Sequence, residues 1–144
     1  MKKIVIAIAA LFTALGAQAT CKIDYVGDLQ KIGKALEKVG GFNFPGHDLF
    51  CDKLKQANAK LSIYAEHGVL GGKSIAWAAV GVRASRLPID GSVVSQSTQL
   101  NDFGDHGKSI EILGTALNTA VSELDLDLAL EKLNESRKAI ALKR

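Results

Sequence analysis

The residues of this chain that could do chemistry are few, and its three histidines come first. His47-Asp48 and Asp105-His106 are neighbouring His–Asp pairs, each next to glycine. Imidazole and carboxylate are the ligand types that zinc and similar divalent ions accept. If the fold brings the pairs together, His47, Asp48, Asp105 and His106 form a metal site, and the chain is a small metal-assisted periplasmic hydrolase. Neither pair has the His-Glu-x-x-His spacing that sets two ligands on one helix face. Asp48 and Asp105 also suit the simpler role of caps or turn formers at loop ends.

Glu66-His67 has the composition of a catalytic base with its orienter. Adjacent residues of a strand point to opposite faces, however, so in a strand the two do not meet. No Gly-x-Ser-x-Gly elbow is present to raise a nucleophile, and Ser74, the nearest serine, stands outside any motif. Gly68 to Ser74 resembles a phosphate loop at first sight. The motif needs four residues between its first glycine and the Gly-Lys-Ser end, and here only three separate Gly68 from Gly72. A hairpin turn is the better reading. Asn134-Glu135-Ser136 matches a glycosylation triplet, but it falls in a helical pattern.

Cys21 and Cys51 are the two cysteines. In an oxidising compartment an even count reads as a disulfide, and closing a loop of this length stabilises by about 3–4 kcal/mol on the chain-entropy model. A helix of about 14 residues carries the chain about 20 Å away from Cys21. Gly40 to Gly46 can span about 23 Å when extended, so that loop must run back along the helix to return Cys51 to Cys21.

The elements that position these residues follow from periodicity. Leu29, Ile32, Leu36 and Val39 make a helical stripe over residues 25–39, with Asp24 as N-cap and Gly40-Gly41 as stop. Phe42 and Phe44 flank Asn43 in the loop that follows and serve best as anchors. With Trp77 they could instead line a cavity, making the protein a carrier of an apolar ligand. A second helix starts near His47 and carries Phe50, Leu54, Ala57 and Leu61; its phase could continue to Tyr64 and end at Gly68, or Leu61 to Ala65 alternates as a strand. Residues 60–87 mix β-branched residues and Trp77, which favour strand, with alanines, which favour helix. Ser92 to Leu100 alternates small polar and apolar residues and reads as a strand. An all-helical reading, a bundle of five helices, leaves about twenty residues near 88–107 without structure, which is uncommon in a compact domain. Ile110, Leu113, Leu117, Ala120, Val121 and Leu124 make a third helix. Asp125-Leu126-Asp127 reads as a break and the cap of a fourth, which carries Leu126, Leu130, Leu133 and Ile140. The expected architecture is α+β: two N-terminal helices, a small three-stranded antiparallel meander, and two C-terminal helices.

Residues 1–19 read as a signal peptide, with Lys2 and Lys3, an apolar run from Ile4 to Leu15, and Ala17-Gln18-Ala19 as the small-x-small cleavage pattern. The run is shorter than the roughly 20 apolar residues of a spanning helix. Gln18 and Thr20 do not fit a lipobox before Cys21. Cleavage leaves residues 20–144 as a single globular domain and drops the formal charge from +3 to +1. Near-neutral charge offers no electrostatic footprint for nucleic acid, and no other stretch is long enough to cross a membrane. No cofactor motif is complete. The expectation is a small bacterial exported protein, periplasmic or secreted and non-enzymatic, that binds another protein, as an inhibitor or immunity-type protein does. The uncharged stretch Ser95, Gln96, Ser97, Thr98 and Gln99 is the expected partner-binding edge. The oligomeric state is open.

Overall fold

A computed structural model describes residues 21–143. The signal peptide expected at residues 1–19 lies outside the described residues. A short strand β1 (Tyr25–Val26) leads into helix α1 (Leu29–Val39), helix α2 (His47–Gln56), three long strands β2 (Ala59–Leu70), β3 (Lys73–Ala84) and β4 (Asp90–Asn101), and helices α3 (His106–Ser122) and α4 (Leu126–Ala141). The α+β class is as expected, and the sheet has four strands where three were expected. Its order is β1-β2-β3-β4, with β1 parallel to β2 and the other pairs antiparallel.

The added strand explains where the first helix begins. Tyr25 and Val26 pair with Leu61 and Ser62, so the helix starts at Asp28, which caps it by accepting from the Lys31 amide at 3.0 Å, and not at Asp24. Gly27 makes the corner at φ 149°, and a Cβ there would collide with the Ile63 carbonyl. The second helix stops at Gln56 and does not continue to Tyr64. Asn58 takes a left-handed φ of 48° and turns the chain into β2. Arg137 from α4 closes that helix end, its guanidinium donating to the carbonyls of Ala57 (2.9 Å) and Asn58 (2.8 Å).

All of 60–70 and 73–84 is strand. Gly71 and Gly72, both at positive φ, form the tight turn between them, in place of any phosphate loop. The alanines that obscured the period lie on the inner face of β3. Ala76, Ala78, Val80 and Val82 are buried there with Leu61 and Ile63 of β2. Small side chains on a central strand let α3 seat closely, and Leu113, Ala116, Leu117, Ala120 and Val121 fill the other side of the core. Helix α1 crosses α3 where Gly114 removes the side chain; a Cβ at Gly114 would come within 2.5 Å of the Ala35 carbonyl.

Cys21 and Cys51 are joined, their Cα atoms 6.0 Å apart. The 40–46 loop returns along α1, as the bridge requires. Phe42 meets Tyr25 edge to face at 6.0 Å and Phe44 meets Phe50 at 5.3 Å. Asn118 of α3 holds the loop by donating to the Gly41 carbonyl and accepting from the Asn43 amide. The disulfide is consistent with an exported protein, and no helix among the described residues is long and apolar enough to cross a membrane.

Candidate functional site

Among the described residues the helices all lie on one face of the sheet, and the opposite face is open. Strand alternation decides what it shows. Inward positions of β3 carry Ala76, Ala78 and Val80; the outward ones between them carry Ile75, Trp77 and Ala79. The antiparallel register sets Trp77 between Glu66 of β2 and Thr98 of β4, Ala79 between Tyr64 and Gln96, and Ile75 between Gly68 and Leu100. Tyr64 is 66% exposed, Leu100 67%, Leu70 74% and Trp77 40%. Large apolar side chains at this density on one flat face mark an interaction surface more often than scattered surface residues do.

The two edges of the sheet differ. At the β2 edge, β1 covers Leu61 and Ser62, and the Lys31 ammonium donates to the Ala65 carbonyl (3.3 Å) and the Glu66 carboxylate (2.6 Å). The Glu66 bond is the main reason the Lys31 ammonium titrates above its ordinary range. A strand laid along β2 would have to displace these groups. At the β4 edge nothing comparable is found among the described residues: none of its twelve residues is buried. The expected partner-binding residues lie here, with Ser95, Ser97 and Gln99 on the helix side and Gln96 and Thr98 on the open face.

The expected metal set does not assemble. His47 opens α2, its Nδ1 3.0 Å from Asp48 Oδ1. Asp105 caps α3 by accepting from the Lys108 amide at 2.8 Å, the local role its position suggested. His106 opens the same helix. The loop beside His47 is held at Asn118, twelve residues farther along α3 and so about 18 Å from His106 by helix rise. Among the described residues no group of three or more His, Cys, Asp or Glu side chains could hold a metal ion.

His106 packs instead on His67, with ring centroids 5.2 Å apart. Ser109, fully buried, lies beneath them with its hydroxyl 2.8 Å from the His106 carbonyl. The same hydroxyl lies 2.9 Å from His67 Nδ1, so Ser109 joins the two histidines in one hydrogen-bonded cluster. Burial foremost, then the charge His106 acquires and that of Lys31, hold the His67 pKa below its ordinary value, against the pull of Glu66. A serine sealed from solvent in this way offers no accessible nucleophile. Glu66 points away from this cluster toward Lys31, so the base-and-orienter geometry is missing too. Ser74 is equally committed. It is fully buried, and its hydroxyl lies 2.7 Å from the Phe103 carbonyl and 2.9 Å from that of Asp105 while accepting from the Asp105 amide.

The expected apolar-ligand residues are also separated. Phe44 is buried against Phe50 on the helix side, and Trp77 is on the opposite face of the sheet. Phe42 borders an open groove of about 720 Å³ with Cys21, Tyr25, Glu37, His47 and Asp48. The groove is wide to solvent and mixed in polarity, unlike the enclosed apolar space a carrier needs. Sequence reasoning missed Tyr64 and Leu100 as surface features. The signal of Tyr64 was an apolar residue in the outward phase of a strand whose inward phase was already apolar, and that of Leu100 a large apolar residue in a strand otherwise rich in small polar ones. Comparisons with protein-family models, with curated proteins and with solved structures find no match for this chain.

Proposed function

We propose that the chain is an exported, non-enzymatic protein that binds another protein through the uncovered face of its sheet. The carrying observation is the exposed diagonal of Tyr64, Trp77 and Leu100 on a face that no helix among the described residues covers. Tyr and Trp are the residues most often found at the energetic centres of protein interfaces. They bury much area with few rotatable bonds, and each offers a polar handle at the rim. Glu66, Gln96 and Thr98 alternate with the apolar residues and supply the polar contacts that fix orientation. The buried state of Ser109 and Ser74 and the splitting of the His–Asp pairs support a binding role over hydrolysis.

The test is affinity capture from periplasmic extract under non-reducing conditions, with wild type and the Tyr64→Ala/Trp77→Ala double variant side by side. The expected result is a defined protein retained by wild type and lost, by a factor of 100 or more for two hot-spot residues at about 2 kcal/mol each, from the double variant. A partner that both proteins retain equally, or no partner at all, refutes the reading.

A further inference from the structure

A second surface, separate from the open face, has a definite occupant. We propose that the β4 edge is a self-association site: a second copy adds its own β4 antiparallel to the first, with Ser97 on the two-fold axis.

A two-fold contact places each residue of the edge against residues of the same edge. Any charge in that edge risks meeting its like, and like charges directly opposite destabilise a strand pair. Gly91 to Asn101 carries no charge at all, although 23% of the chain's residues are charged. Sheet edges are ordinarily protected by lysine, by short strands or by covering elements. This sheet protects its β2 edge in those ways, with β1 and Lys31, and among the described residues the long β4 edge is bare. An uncharged, polar strand offers an unrelated partner no charge pattern to select it by. It does offer its own image a matching register.

That register follows from the side chains. With Ser97 on the axis, Val94 faces Leu100 of the second copy and Leu100 faces its Val94. These are large apolar residues exposed at 54% and 67%. Gln96 faces Thr98, and on the helix side Ser95 faces Gln99, an amide opposite a hydroxyl. Asp102 falls opposite Ser92, so no carboxylate meets another. Shifting the axis to Gln96 would set Val94 against Thr98 and Leu100 against Ser92 and lose both apolar pairs. The result is one continuous sheet in which the rows carrying Trp77 and Leu100 run on into the second copy, and each copy's open face stays accessible. The paired edge is about 33 Å long for ten residues. A contact of one strand's width sits at the low end of specific interfaces, so the dimer is reversible, with a dissociation constant in the micromolar to roughly 1 mM range.

Sedimentation equilibrium of the mature, disulfide-intact protein over that concentration range tests association, and two variant sets test the register. Ser97→Cys lies against itself and is expected to form a covalent dimer under mild oxidation. Ser95→Cys lies opposite Gln99, about 13 Å from its own copy by strand rise, beyond disulfide reach, and is expected to stay monomeric. Gln96→Lys with Thr98→Lys sets lysine opposite lysine twice and is expected to weaken association at least tenfold. Gln96→Lys with Thr98→Glu sets opposite charges face to face and restores it. These positions are solvent-exposed or half-exposed, and circular dichroism checks that each variant is folded. A wild-type protein that stays monomeric up to about 1 mM, together with a Ser97→Cys variant that forms no cross-link, overturns the proposal. So does a dimer indifferent to the charge variants. Either outcome leaves the partner-binding reading standing, because that reading rests on capture through Tyr64 and Trp77.

Discussion

Replacing Ser74 with alanine should cost more stability than its small size suggests. The hydroxyl is fully buried at the start of β3 and holds the loop between β4 and α3, reaching the Phe103 and Asp105 carbonyls and receiving the Asp105 amide. The same junction is closed from the other side, where a Cβ on Gly104 would come within 2.5 Å of Gly72. Each lost hydrogen bond nets about 1 kcal/mol, and groups left buried without a partner cost more. Water reaching the outer part of the loop offsets some of this, so the expected loss is about 2 kcal/mol. For a domain of this size that is about 8 °C in Tm, at about 4 °C per kcal/mol. Urea unfolding followed by circular dichroism is the assay, with Ser95→Ala on the half-exposed β4 as control, expected within about 0.5 kcal/mol of wild type. A Ser74→Ala loss below about 0.5 kcal/mol at unchanged m-value would refute the view of Ser74 as the fastener of this loop.

Three further outcomes are expected. Replacing Cys21 and Cys51 together by alanine should lower unfolding free energy by about 3–4 kcal/mol on the chain-entropy model for a separation of 30 residues, read by urea titration against wild type; a loss under about 1 kcal/mol would contradict it. Gly114→Ala should destabilise by about 1–3 kcal/mol despite the better helix propensity of alanine, because the new methyl meets the Ala35 carbonyl and Val39; a gain in Tm would show that α1 can yield. His67 binds its proton less readily folded than unfolded, so wild-type stability should be full above pH 6.5 and fall as pH drops through that value toward the lower folded pKa. His67→Gln should lose less stability than wild type between pH 7.5 and 5.5, and equal losses would remove His67 as the cause.

Much of the helical framework was legible because its signals are local. Asp125 and Gly40 sit where a cap and a stop are needed, and each performs that role in the structure. The disulfide was legible from a count of two, and the returning loop from its reach. The start of α1 was not, because two residues compete to cap it. Asp24 is as good a cap as Asp28, and only the parallel pairing of Tyr25 and Val26 with a strand 36 residues away decides between them. Residues 60–87 resisted reading because β3 needs small residues inside, where α3 seats, and carries Trp77 and Ile75 outside, so neither phase looks polar. The candidate site was half legible. The bare β4 edge is visible as missing charge, whereas the open face depends on which side the helices choose, a property no single segment holds. The His67–Ser109–His106 cluster joins residues 42 apart and left no local trace.

Having every helix on one side of the sheet gives the molecule a natural optical asymmetry. Its single tryptophan sits on the outer side, and the core is built from aliphatic residues with Phe44 and Phe50. Indole emission therefore senses events on that outer surface without labelling. A partner seated over Trp77 would shift that emission to the blue, while unfolding would strip its sheet neighbours from the indole and shift it to the red.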